Sequence, residues 1–251
     1  MDASPCAVMR YGILEYETAW RLQSSLAAEI AGGKRSPTLI LLEHPHTYTF
    51  GRRGHAQNLL WDQSELDRRG ISVHWVDRGG DVTYHGPGQL VGYPLLPLAP
   101  GGLFHQAEGE RQRLPAADYV GYVRKLELTL IAALDSLGVY SQQVEGLSGV
   151  WAPAATKAVD RTGHFHPIPL AKIAAIGVKV DARGVSQHGF ALNVNTDMTY
   201  WQGIIGCGLK DHRITSLAEL LDPRPAMEDV IEAVINAFGI IFNYNMINEP
   251  A

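Results

Sequence analysis

The sequence predicts an α+β fold, a mixed or antiparallel sheet flanked by helices, and three observations carry that expectation. Strand-like apolar runs outnumber the segments with helical period. Strands and helices do not alternate regularly, as a doubly wound parallel sheet would require. The composition, 46% hydrophobic and 19% charged over 251 residues, is that of a chain with a buried core, not of a coiled coil or a disordered polymer. No internal repeat and no low-complexity linker divides the chain. One domain over residues 1–251 is expected, with residues 1–10 and 246–251 as mobile tails.

Taken in order, the first helix is expected over Tyr16–Ala31, where Tyr16, Ala19, Trp20, Ala27 and Ile30 share a face and Gly32-Gly33 ends the pattern. The best helical pattern is Asp118–Leu137, with Val120, Val123, Leu126, Leu130, Ile131, Leu134 and Leu137 spaced at three and four. Asp118 suits its N-cap and Gly138 its close. Ser216 and Glu219 have the spacing of a capping box, and Pro225–Phe238 reads as a last amphipathic helix stopped by Gly239. Strands are expected at Thr38–Leu42, Ile71–Val76, Leu90–Leu95, Val139–Val144, Ile173–Val180, Gly189–Asn195 and Gly239–Asn243. The Gly/Pro/His-rich stretches Ala99–Pro115 and Pro153–Leu170 are expected as loops.

Charge and cysteine content exclude several function classes. Lys+Arg number 21 against Asp+Glu 26, a net charge of −5, so no basic excess exists to bind a phosphate backbone, and no nucleic-acid partner is expected. Two cysteines, Cys6 and Cys207, are too few for a disulfide framework or a cysteine zinc site. A single bridge between them stays open. No run approaches the ~18 apolar residues of a membrane span, and the opening residues have neither an apolar h-region nor an arginine-rich transit pattern. A cytoplasmic protein with no membrane partner is expected.

Chemistry concentrates in a few segments. Cys207 lies between Gly206 and Gly208, which clear space around a thiol; the motif alone leaves open a nucleophile or a small buried hydrophobe. Lys172 opens a small, apolar, glycine-containing strand, Ala171–Val178. There it either snorkels to the surface or enters a pocket as a proton acceptor or thiolate partner. Arg78–Gln89, RGGDVTYHGPGQ, joins Gly79-Gly80, against which a ligand can lie closely, to Thr83, Tyr84 and His85 and a forced turn at Gly86-Pro87-Gly88. It lacks the GxxxxGK[ST] spacing of a phosphate loop, and a glycine-rich wall against an extended uncharged substrate fits it better than a plain hairpin. His44-Pro45-His46 lacks further ligands at metal-binding spacing. His164 and His166 read as solvated, and Arg52-Arg53 as an exposed pair or a docking patch for an acidic partner.

These segments together resemble the lipoyl(octanoyl) transferases, the octanoyl-[acyl carrier protein]:protein N-octanoyltransferases. His44–Gly51 is similar to that family's HPxxYTxG block and Arg78–Gln89 to its RGGxxTYHGPGQ block. Gly149-Val150-Trp151 is similar to its GVW element, Lys172–Val178 to its KIAAIGV strand, His188–Asn193 to HGxALN, and Cys207-Gly208 to its Cys-Gly. Six ordered blocks span most of residues 40–210. Two departures stand: Gly206 replaces the proline the family has before its cysteine, and Ala154–Leu170 is longer than the family needs.

The resemblance implies the α+β fold of biotin and lipoate protein ligases, and no cofactor or metal. Cys207 would be the acyl-accepting nucleophile and Lys172 its activator, lowering the thiol pKa or serving as general base. Arg78, Gly79, Gly80, Asp81, Val82, Thr83, Tyr84 and His85 would line the acyl pocket, together with Ala175, Ile176, Gly177, Gly189, Phe190 and Ala191. The implied donor is octanoyl-acyl carrier protein. The implied acceptors are lipoyl domains of 2-oxoacid dehydrogenase E2 subunits and the glycine cleavage H protein. Glycine placement in the sequence makes backbone N–H groups near Gly177 or Gly208 the expected stabilisers of the tetrahedral oxyanion. The alternatives are an ATP-dependent lipoate or biotin ligase, a lipoyl-domain amidotransferase on the same fold, and a degenerate lipoyl-domain binding module.

Overall fold

The computed structural model describes residues 3–99, 104–107, 110–113, 118–154, 169–206 and 213–250. In chain order its elements are β1 (Ser4–Ile13), α1 (Tyr16–Ala31), β2 (Thr38–Glu43), β3 (Thr47–Phe50), α2 (Gln63–Arg69), β4 (Ser72–Trp75), β5 (Val82–His85) and β6 (Gln89–Leu95). There follow β7 (Phe104–Ala107), β8 (Glu110–Arg113), α3 (Tyr119–Ser136), β9 (Gln142–Val144), β10 (Leu147–Pro153), β11 (Leu170–Val180) and β12 (Ser186–Asn193). The chain ends through β13 (Arg213–Ile214), α4 (Leu217–Leu220), α5 (Met227–Phe242) and β14 (Tyr244–Glu249). The strands form a large mixed sheet in the order β14-β1-β2-β6-β12-β11-β10-β9, with β13 beside β11. A small sheet, β4-β3-β5, and the hairpin β7-β8 stand apart from it. This is the α+β arrangement the sequence predicts. No helix among the described residues is long and apolar enough to cross a membrane.

Both faces of the large sheet are covered, and alternation along β2 shows how. Leu39 and Leu41 enter the core beneath α3 and α5, while Ile40 and Leu42 enter the core beneath α1. A strand buried on both faces reads as an unbroken apolar run, which is why Thr38–Leu42 is legible. Asp118 caps α3 by accepting the Gly121 N–H at 2.7 Å. The buried face of α3 is rotated from the one the spacing suggests: Val120 is exposed, while Tyr122, Glu127 and Thr129 face inward.

Other expectations are corrected. The N- and C-terminal segments are paired strands, not tails: β14 lies parallel to β1, and Cys6, Ala7 and Val8 are buried. Arg10 binds Glu228 and Glu232, and Arg35 binds Glu29 and Glu249, fastening the two ends of the chain together. The two paired strands, Ser4 opposite Tyr244, are 240 residues apart in sequence, beyond any local pattern. Gly239 does not stop α5; a side chain there would stand 3.0 Å from Met246 Cγ, so the glycine lets β14 fold back on the helix. Asn243, at φ 57°, ends the helix instead, and the strand expected at Gly239–Asn243 begins at Tyr244. Ser216 makes no capping hydrogen bond; Thr215 Oγ1 donates to Glu219 at 2.9 Å in its place. The stretch Ala99–Pro115 contains the hairpin β7-β8. Residues 155–168, with His164 and His166, lie outside the described residues.

Candidate active site

A cavity of about 310 Å³ opens between β11 and β12 of the large sheet and the segment that joins β4 to β5. Among the predicted site residues it gathers Arg78, Gly80 and Asp81 from that segment, Thr83 and His85 from β5, and Lys172, Ala175, Ile176 and Gly177 from β11. Gly189, Phe190 and Ala191 come from β12. Val82 and Tyr84 do not join them. Side chains on β5 alternate, so Thr83 and His85 face the cavity while Val82 and Tyr84 are buried in the core of the small sheet. Gly79 borders a neighbouring recess with Arg52, Asp77 and Lys179, and its N–H donates to Val178 at 2.9 Å.

A β-bulge makes Lys172 a cavity residue. Trp151 pairs with Lys172 but Val150 pairs with Ala174, so Ile173 is an extra residue on β11. Ile173 and Ala174 both enter the same core. Strict alternation would put Lys172 on the core face with Ala174; the inserted residue restores it to the face of Ala175 and Gly177. Its ammonium lies 4.9 Å from the centroid of the Trp151 ring, and the residue is 7% exposed.

The wall opposite is a set of fastened loops. The Arg78 guanidinium is buried and donates from Nη2 to Thr49 O at 2.6 Å and to Thr49 Oγ1 at 2.9 Å, clipping the segment to β3. A side chain on Gly177 would stand 3.0 Å from Arg78 Cδ and from Gly79 O, so glycine is what lets Arg78 cross β11. The Asp81 carboxylate accepts from the N–H of Val82 at 2.7 Å and of His55 at 3.3 Å, and from Asn58. Thr83 Oγ1 is buried with no hydrogen-bond partner among the described residues.

Two buried histidines, His85 and His188, line the cavity and a third, His44, lies behind Tyr93; their partners fix their tautomers. His44 Nδ1 donates to Leu14 O at 2.7 Å, leaving Nε2 to accept from the Tyr93 hydroxyl at 2.7 Å. Gln89 donates its amide N–H groups to Tyr84 O and Asn193 Oδ1, so its oxygen accepts from His85 Nδ1 at 2.8 Å. His188, held at φ 56°, donates from Nε2 to Asp77 at 3.0 Å, and the other Asp77 oxygen meets Lys179. Burial pushes His44 down to about 4 and His85 well below the usual imidazole value. Burial also lowers His188, with Asp77 acting in the opposite sense. The hydrogen bond from His188, and then Lys179, hold Asp77 below the usual carboxylate range against the effect of its burial.

Sequence reasoning left Tyr16, Arg53, His55, Tyr93, Gly146, Leu147, Ser148 and His188 out of the site, and all of them line the cavity. His188 opens the HGFALN block and could have been found there. Tyr16 carries no motif; it reaches the site by stacking on His74 and His85, with ring centroids 5.3 and 6.0 Å away. His46 is a packing residue, stacked on Tyr200 at 3.9 Å and hydrogen-bonded to the Tyr84 hydroxyl. Cys6 is a free thiol, wholly buried, and burial pushes it up to about 12. Cys207 and Gly208 lie outside the described residues. The chain is described up to Gly206, where a side chain would stand 3.4 Å from Ile214 Cδ1, and Ile214 pairs with Lys172.

Residues 15–239 match the lipoyl protein ligase A/B catalytic domain family. An octanoyltransferase of Acidobacterium capsulatum is 40% identical over 242 residues, covering 96% of this chain and 91% of the relative. One of Chloroflexus aurantiacus is 41% identical over 231 residues, covering 92% and 91%. Among solved structures, a bipartite lipoate protein ligase with its E2 lipoyl domain from Thermoplasma acidophilum superposes with a TM-score of 0.66 at 15% identity, covering 100% of this chain and 88% of that one. A lipoate-protein ligase A bound with ATP gives 0.64 at 15% identity, covering 100% and 90%. At that identity the likeness is one of fold. With the cavity and its ordered motif blocks, the sequence matches place this chain in the lipoyl protein ligase A/B catalytic family, among its octanoyltransferases.

Proposed function

We propose that the chain moves an octanoyl group from the thioester of acyl carrier protein to a lysine of a lipoyl domain, through a thioester on Cys207, in the cytoplasm. The Cys207 thiolate attacks the donor carbonyl, the C–S bond to the donor breaks, and the released thiolate takes a proton. The acceptor amine then attacks the octanoyl-enzyme, loses a proton, and Cys207 leaves as thiolate. One site thus divides the transfer into two steps. The Lys172 ammonium favours the Cys207 thiolate, gives its proton to the released donor thiolate and, as the free amine so formed, takes one from the attacking amine in the second step. Ala175, Gly177, Gly189 and Ala191 present small side chains or none to the acyl chain, and Arg78 and Phe190 close it in.

The observation that carries this reading is the placement of Lys172. It is a buried cation turned into a glycine-walled cavity by a bulge, on a strand that Ile214 pairs, and Gly206 lies beside Ile214. Cys207 is one peptide bond beyond Gly206. The acceptor class is supported by the solved neighbour described with its E2 lipoyl domain. E2 subunits and the glycine cleavage H protein are the acceptors to test.

The test is mass spectrometry of the intact protein after incubation with octanoyl-acyl carrier protein and no ATP. A hydroxylamine-sensitive octanoyl adduct is expected on wild type, chased off by added lipoyl domain, and none on Cys207→Ser. Modification of the lipoyl domain only with free octanoate and ATP would overturn the reading in favour of a ligase.

A further inference from the structure

Glu127 lies on α3, across the core from the cavity, yet it is fully buried and its carboxylate collects three donors. Oε1 accepts the backbone N–H of Gly149 at 2.9 Å. Oε2 accepts from Gln143 Nε2 at 2.9 Å and from Arg124 Nη1 at 2.6 Å. Every partner donates, so a carboxylate is the side chain that satisfies all of them, and an amide in its place turns one contact into donor against donor. A buried charge is costly unless its geometry is well satisfied, and an apolar residue would fill the same volume at less cost to stability.

What the carboxylate holds is the start of β10, where that strand meets the bulge. Gly149 is at φ 99°, open to glycine but not to ordinary side chains. A Cβ on it would stand 2.4 Å from Ala174 O and 3.4 Å from Lys172 Cε. The bare α-carbon of Gly149 is therefore the bed against which the end of the Lys172 stem lies. Gly146, Leu147 and Ser148, just before it, form the cavity lip. Holding the Gly149 N–H fixes this bed relative to α3, on the side of β11 where Ile173 is inserted.

We propose that Glu127 is the positioning residue for Lys172: through the Gly149 N–H it sets the turn that aims the Lys172 ammonium into the cavity. This rests on the reading of Lys172 as the group that activates Cys207.

The experiment is a double-mutant cycle on the full chain, with Glu127→Gln, Lys172→Met and the pair. The readout is the rate of octanoyl-enzyme formation by intact mass, with urea unfolding of each variant. Glu127→Gln is expected to slow acylation by about tenfold or more in wild type, and by less than about twofold once Lys172 is methionine. Equal slowing in both backgrounds, or a loss that tracks only the unfolded fraction, would show a merely structural role and overturn the proposal. An undiminished rate in Lys172→Met would overturn the reading of Lys172 itself, a distinct outcome. If Glu127→Gln does not fold, Glu127→Asp, which keeps the charge but draws the carboxylate back from the Gly149 N–H, takes its place in the cycle with the same expected pattern.

Discussion

Replacing His44 by glutamine should flatten the acid side of the stability curve. In the fold His44 titrates at about 4, against 6.5 for an ordinary imidazole, because burial disfavours its charged form. The unfolded chain thus takes up a proton near pH 6.5 that the folded chain refuses until about 4. The stability tied to neutral His44 is complete above about 6.5 and is lost as pH falls through that interval to about 4. The interval corresponds to about 3 kcal/mol, and midway the slope approaches about 1.2 kcal/mol per pH unit. Against a total stability of about 5–15 kcal/mol that is a large share. The carboxylates Asp77 and Glu65, both held low by their partners, act in a lower window, so the histidine interval stands clear of them. His85 and His188 add to the wild-type slope in the same sense and remain in the variant, so the difference reports His44 together with the smaller repulsion it exerts on His85. At about pH 7.5 the variant should be less stable by about 1 kcal/mol, having lost one of the bonds to Leu14 O and the Tyr93 hydroxyl. Urea unfolding from about pH 7.5 to 5 measures both curves, which should converge as the pH falls and cross at about pH 6. Parallel curves would refute the argument, because they would mean His44 takes up its proton equally in both states.

Further consequences concern the site. Lys172→Met keeps the stem length and should leave the protein folded while slowing acylation about a hundredfold. Iodoacetamide labelling of Cys207 near neutral pH should slow as well, and unchanged labelling would assign Lys172 to proton transfer alone. Gly177→Ala places a methyl 3.0 Å from Arg78 Cδ and Gly79 O and should push Arg78 into the acyl space. At about 0.8 kcal/mol per buried methylene, a folded variant should shift preference from eight- toward six-carbon donors, and an unaltered profile would remove Arg78 from the pocket wall. Cys6→Ala opens a small cavity beneath β1 and should cost about 1 kcal/mol of stability with no change in acylation. A large loss of rate would give the N-terminal strand a part in the chemistry.

What was legible in the sequence is what local chemistry dictates. The spacing in α1, the Asp118 cap and the apolar run of β2 each answer to neighbours within a few residues, and each stands where the pattern puts it. The motif blocks, too, bring Lys172, Gly177, Gly189 and the Arg78 segment to one cavity. The misses share a cause, which is that the deciding partner is remote. The strand at residues 4–13 needs the strand at 244–249, and Gly239 is glycine for the sake of Met246, not to end a helix. Val82 and Tyr84 share a contiguous block with Thr83 and His85, but a strand sends alternate residues to opposite sides. The bulge at Ile173 is the most consequential of these. By alternation alone a lysine two residues before Ala174 and three before Ala175 belongs on the core face, where its charge would be unsatisfied. One inserted residue reverses its side, and the backbone around it is held by Gly149 of the GVW element and, beyond it, by a group that no motif names, the carboxylate of Glu127. A motif therefore lists the residues that meet the substrate, while the residues that aim them sit in helices whose sequence looks like ordinary core.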